Sequence, residues 1–82
     1  MSIRIAGDGR ILLEGHCSVE DVEPLLRGLL ESPAAALDWR SCDRAHAAVV
    51  QLMLVSGRSV LGPPRDPFLA ARIDPLLPHP DD

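Results

Sequence analysis

Apolar residues recur along this chain first with a period of two and then with helical spacing, and the two patterns take turns to the C-terminus. Ile3 and Ile5 alternate with Arg4 and Ala6, which predicts a short edge strand. Gly7-Asp8-Gly9 is a hairpin-type turn, and Arg10–Gly15 reads as the returning strand. Ser18 is an N-cap, and Asp21 completes a capping-box pair. Val19, Val22, Leu25, Leu26, Leu29 and Leu30 then mark one apolar helix face. Pro24 predicts either a kink or a first turn that gives way to a main helix, and Ser32-Pro33 ends it.

The centre of the chain carries the most information. Ala35-Ala36-Leu37-Asp38-Trp39 predicts a short central strand, parallel to the second. A polar turn follows, in which Asp43 is the expected cap of a helix from about Ala45 to Ser56, with Gly57 as its C′ residue. That helix has almost no polar face and must be covered by its own core or by a partner. Val50, Met53 and Leu54 are expected to face the sheet, leaving Arg44, Ala47, Ala48, Gln51 and Val55 outward, with Arg44 and Arg58 as a rim. Ser59–Gly62 is a last strand. Asp66-Pro67 starts a third helix, whose stripe is Phe68, Leu69, Ile73, Leu76 and Leu77 and which bends or breaks at Pro75. The order β-β-α-β-α-β-α predicts an α/β fold with a four-stranded mixed sheet and three helices. It spans residues 1–78 as one domain, with 79–82 as a frayed tail.

Composition narrows the function. The net charge of −4 and the near absence of aromatics argue against nucleic acid. All eight cationic side chains are arginine. Two cysteines are too few for a disulfide framework, and no signal peptide or membrane-length apolar run is visible. A cytoplasmic protein without membrane insertion is the expectation.

The element order, with Ala36-Leu37-Asp38-Trp39 ahead of an apolar helix, resembles the STAS domains of bacterial anti-anti-sigma factors and related regulators. The resemblance spans roughly Ile3 to Leu77 and is one of pattern, with few identical residues. Full-length members usually carry one more strand and helix. His46-Ala47-Ala48-Val49 falls where those domains have a DSxG-type motif at the start of the second helix. In regulated members a kinase phosphorylates that serine, adding negative charge at a docking helix N-terminus. With Ala47 and Ala48 in place of a hydroxyl, the resemblance implies the docking surface without the phosphoswitch.

Other chemistry is thin. His16, Cys17, Cys42 and His46 are an ordinary zinc set by residue type, but they lack CxxC spacing, and adjacent ligands such as His16-Cys17 rarely chelate together. Cys42 near a helix N-terminus is a candidate reactive thiol, set against the commoner inert packed one. Glu14, Glu20, Asp21 and Glu23 suit a helix N-terminus better than calcium. No Ser/His/Asp arrangement or phosphate loop is evident.

The reading is therefore a non-catalytic, cofactor-free interaction module. Its expected partner-binding residues are Asp43, Arg44, His46, Ala47, Ala48, Gln51 and Val55. The resemblance implies a regulatory kinase, an anti-sigma factor or a transporter ATPase as partner; self-association is the other possibility. A small metal- or thiol-dependent protein using His16, Cys17, Cys42 and His46 is the alternative class.

Overall fold

A computed structural model describes residues 2–80. These residues form one mixed sheet of four strands and three helices, in the order read from the pattern. The strands are β1 (Ile3–Ile5), β2 (Ile11–Cys17), β3 (Leu37–Ala45) and β4 (Val60–Leu61), arranged β1-β2-β3-β4. β1 runs antiparallel to β2; β2, β3 and β4 are parallel. The helices are α1 (Val22–Glu31), α2 (Ala47–Ser56) and a C-terminal segment over 67–76, here α3. Its middle, Leu69–Ile73, is π-helical and its end, Asp74–Leu76, is 3-10, so the helix breaks where Pro75 predicted.

Two crossovers, β2-α1-β3 and β3-α2-β4, step the same way across the sheet. Right-handed connections then place α1 and α2 on the same face. Ile11, Leu13, Leu37, Trp39 and Val60 meet Leu25, Leu29, Val49 and Met53 there in a single core. The opposite face carries charge instead. Arg40 donates to Asp38 through Nε at 3.1 Å and Nη2 at 2.8 Å, and Arg10 adds a second guanidinium to the same carboxylate. Arg10 also pairs with Asp8, and Arg4 with Glu14 at 2.8 Å. Beneath these side chains Leu12 is only 9% exposed.

The predicted starts and stops hold with shifts of register. Ser18 N–H donates to Asp21 Oδ2 at 2.7 Å ahead of a 3-10 turn, Val19–Asp21, that runs into α1. Pro24 is the third residue of α1, where a missing N–H leaves no intrahelical bond unmade. Gly57 ends α2 in the left-handed conformation, φ +67°. Asp66 Oδ1 accepts from the Phe68 N–H at 2.8 Å to open α3.

Several expectations are corrected. The expected polar turn at 40–44 is the second half of β3, which runs to Ala45 and is held from both sides: His46 N–H donates to Cys17 O at 2.8 Å and Arg65 N–H to Cys42 O at 2.9 Å. Backbone partners on other segments, not apolar alternation, make this stretch a strand. Shifts in the β2–β3 register, with Gly15 at φ +65°, absorb its extra length. Asp43 therefore lies in a strand and caps nothing; His46 is the N-cap of α2, its Nδ1 accepting from Ala48 N–H at 3.0 Å. The apolar stripe of α1 splits: Leu25 and Leu29 are buried, whereas Val19, Leu26 and Leu30 are exposed. A helix on a two-layer sheet buries only the strip that faces the strands.

The C-terminal tail is tied in at His79. Its Nδ1 lies 3.1 Å from Val60 O and its Nε2 3.0 Å from Asp74 O, while Pro78 O accepts from Val60 N–H at 2.8 Å. Asp81 and Asp82 lie outside the described residues. Asp74 is itself buried and accepts from Trp39 Nε1 at 3.0 Å.

Candidate protein-docking surface

α2 consists of apolar residues apart from Gln51 and the terminal Ser56, so its packing alone decides which residues point out. Val49, Val50 and Met53 enter the core. Val49 takes the third inward place that the spacing assigned to Leu54, which is half-buried at the edge of the core. Ala47, Gln51 and Val55, four residues apart, form the outward line, with Ala48 half-buried beside it. Val55 is 75% exposed. Asp43 and Arg44 end β3 in exposed positions and His46 is exposed at the cap. The predicted site residues therefore fall on one continuous region: the end of β3, the cap, and the outer face of α2.

Arg58 is not part of its rim. Its guanidinium donates to the carbonyls of Leu29 at 2.6 Å, Ser32 at 2.9 Å and Ala35 at 3.0 Å, closing the C-terminal end of α1. Leu29 lies in the last turn of α1, Ser32 is its C-cap and Ala35 lies in the loop beyond, so one guanidinium ties the helix end to the loop that follows it.

Pattern reading missed Phe68. The spacing sets it in the apolar stripe of the third helix, but it is 63% exposed. It stands with Leu69 and Ile73 across from Ala47, Val50, Gln51 and Leu54 of α2, and a groove of about 370 Å³ runs between them. No sequence signal marks it, because the groove forms only where α3 packs beside α2. Asp66 reaches the groove but already caps α3, and Asp43 pairs with Arg65 at 3.6 Å.

The other chemically capable residues do not converge. His16 and Cys17 are neighbours on β2 and so point to opposite sides. His16 is exposed, whereas Cys17 and Cys42 are fully buried free thiols. The hydrogen bond that the two thiols share, together with burial, pushes the Cys17 thiol up, and the same bond draws the Cys42 thiol down. Cys42 Sγ lies 3.2 Å from Arg44 O. Of His16, Cys17, Cys42 and His46 only the two thiols meet, and no group of three or more His, Cys, Asp or Glu among the described residues stands in metal-binding reach. On the open face, hydrogen bonds from Arg40 hold the Asp38 carboxyl below its ordinary range. A wider depression, about 510 Å³, lies between the β1–β2 turn and residues 32–36, lined mostly by small residues and the Asp8–Arg10 pair.

No helix among the described residues is long and apolar enough to cross a membrane. No protein-family model, curated protein or solved structure matches the chain. Ala47 and Ala48 form the first turn of α2.

Proposed function

We infer that the protein is a non-catalytic interaction module of STAS type, working in the cytoplasm, that docks a protein partner through α2 and the end of β3. The observation that carries this reading is the outward line Ala47-Gln51-Val55 beside the groove walled by Phe68. An uncharged helix face continuous with an apolar groove marks a contact surface in a protein of this size. An exposed aromatic at its edge is the kind of anchor that dominates binding energy. The resemblance supplies the partner class: a regulatory kinase, an anti-sigma factor or a transporter ATPase, engaged without the serine phosphoswitch.

The test is capture of such partners from native cells by wild type and by two variants. Gln51→Glu sets a charge on the outward line, and Phe68→Ala removes the anchor. Both keep the fold and lose the partner, by roughly tenfold or more for Phe68→Ala. Retention of every specifically captured protein by both folded variants places the docking site elsewhere.

A further inference from the structure

The two cysteines of the chain, Cys17 and Cys42, are fully buried free thiols on neighbouring strands. The β2–β3 register sets Gly15 beside Cys42 and Cys17 beside Ala45, so the cysteines are diagonal neighbours. Their sulfurs lean toward each other along the strands. Cys17 Sγ reaches back to lie 3.8 Å from Glu14 O, and Glu14 is registered with Ser41, one residue before Cys42. Cys42 Sγ lies 3.2 Å from Arg44 O, ahead of it in the chain, and Arg44 is registered with His16, one residue before Cys17. Both side chains enter the same core cluster, where the two thiols share a hydrogen bond. The register also shifts between Gly15 and His16, and Gly15 has φ +65°. The backbone between the two cysteine levels is therefore bulged, and a strand bends most readily at a bulge. With no third ligand in reach among the described residues, two thiols make a poor metal site.

We propose that Cys17 and Cys42 form a reversible intramolecular disulfide, with a small hydroperoxide as the oxidant. Cys42 attacks first, because the hydrogen bond from Cys17 favours its thiolate. An S–O bond forms as the peroxide O–O bond breaks, and the departing oxygen takes the proton that Cys42 gave up. The product is a sulfenic acid on Cys42. The Cys17 sulfur then attacks the Cys42 sulfur; the S–S bond forms, the S–O bond breaks, and hydroxide leaves with the Cys17 proton as water. The two thiols lose two electrons and two protons in all, and the hydroperoxide becomes an alcohol and water. A dithiol reductant reverses the step by exchange. Burial selects a small oxidant, and it sets the sulfenic acid against the second thiol before more peroxide reaches it. The bridge forms whatever partner α2 docks.

Mass mapping of the full chain tests this. The folded protein is treated with a slight excess of hydrogen peroxide, and remaining thiols are alkylated in denaturant. The untreated chain takes two alkyl groups. The treated chain takes none, loses the mass of two hydrogens and stays a single chain. Trypsin then places Cys17 in peptide 11–27 and Cys42 in peptide 41–44, and the two run as one species until dithiothreitol separates them. Cys17→Ser keeps a donor beside Cys42 but removes the second sulfur, so it stops at a Cys42 sulfenic acid that dimedone labels. Cys42→Ser lacks the attacking sulfur and takes no label. Thermal melting verifies that the variants fold, and the wild-type map decides the bridge if either does not. A folded wild type that keeps both alkylatable thiols overturns the proposal, as does one linked only between two chains or carried to sulfinic acid instead. Dimedone on Cys17 of Cys42→Ser, with none on Cys42 of Cys17→Ser, overturns the order of attack.

Discussion

Glutamate placed at Gln51 or at Met53, two residues apart on α2, should give opposite results. Met53 is fully buried among the core residues, and Gln51 is exposed on the outward line. An ionised carboxylate without a partner in the core costs several kcal/mol even after the chain relaxes. A domain of this size has a total stability of roughly 4–12 kcal/mol by the usual per-residue range. Met53→Glu therefore removes most or all of the stability, and it also loses the packing of the thioether. Gln51→Glu changes an exposed side chain in the middle of a helix and should cost no more than about 0.5 kcal/mol. Since 1 kcal/mol corresponds to about 4–8 °C in Tm for domains of 60–100 residues, the shift stays below about 4 °C. Thermal melts followed by far-ultraviolet circular dichroism at neutral pH read both values. If Gln51→Glu unfolds as Met53→Glu does, α2 is buried on both sides and the docking argument fails. If Met53→Glu folds normally, α2 is rotated from the orientation described.

Three further outcomes are expected. Asp38 has a depressed carboxyl pKa, its largest cause being the hydrogen bond from Arg40, so its contribution to stability is complete above the ordinary value of 3.8 and is lost as pH falls through the lower folded value; Asp38→Asn should flatten the acid limb of a Tm-against-pH curve, and an unchanged limb would show that the arginine lattice contributes nothing. Arg58→Ala removes three donors from the end of α1 and should cost about 2 kcal/mol in a urea melt, with Arg58→Lys recovering less than half because an ammonium cannot span the three carbonyls; a loss under 0.5 kcal/mol would reassign the contact as incidental. A STAS-type serine kinase should leave the first turn of α2 unlabelled, since Ala47 and Ala48 carry no acceptor; phosphate found by mass spectrometry on Ser41, with loss of partner binding, would mean that the switch has moved into β3.

Local chemistry made much of this protein legible from its residues alone. Ser18 with Asp21, Gly57, and Asp66 with Pro67 mark helix ends because a cap is satisfied within a few residues of chain. Strand and helix order, and with it the mixed four-stranded sheet, followed from the two hydrophobic periods. So did the inward Met53 and the outward Gln51, since an apolar helix exposes its one mid-helix polar side chain. What depended on distant neighbours was not legible. The polar half of β3 is a strand because Cys17 and Arg65 supply backbone partners, and no side-chain pattern records a hydrogen bond to another segment. The α1 stripe reads as one apolar face, yet only the strip facing the sheet is covered, so Leu26 and Leu30 emerge as surface. Arg58 and His79 read as rim and tail residues, but their partners are carbonyls at the end of α1 and in the loop after it, on β4 and on α3. The groove beside Phe68 likewise exists only once α3 is set against α2. Periodicity tells which side of an element is apolar, but only tertiary packing decides how much of that side finds a neighbour.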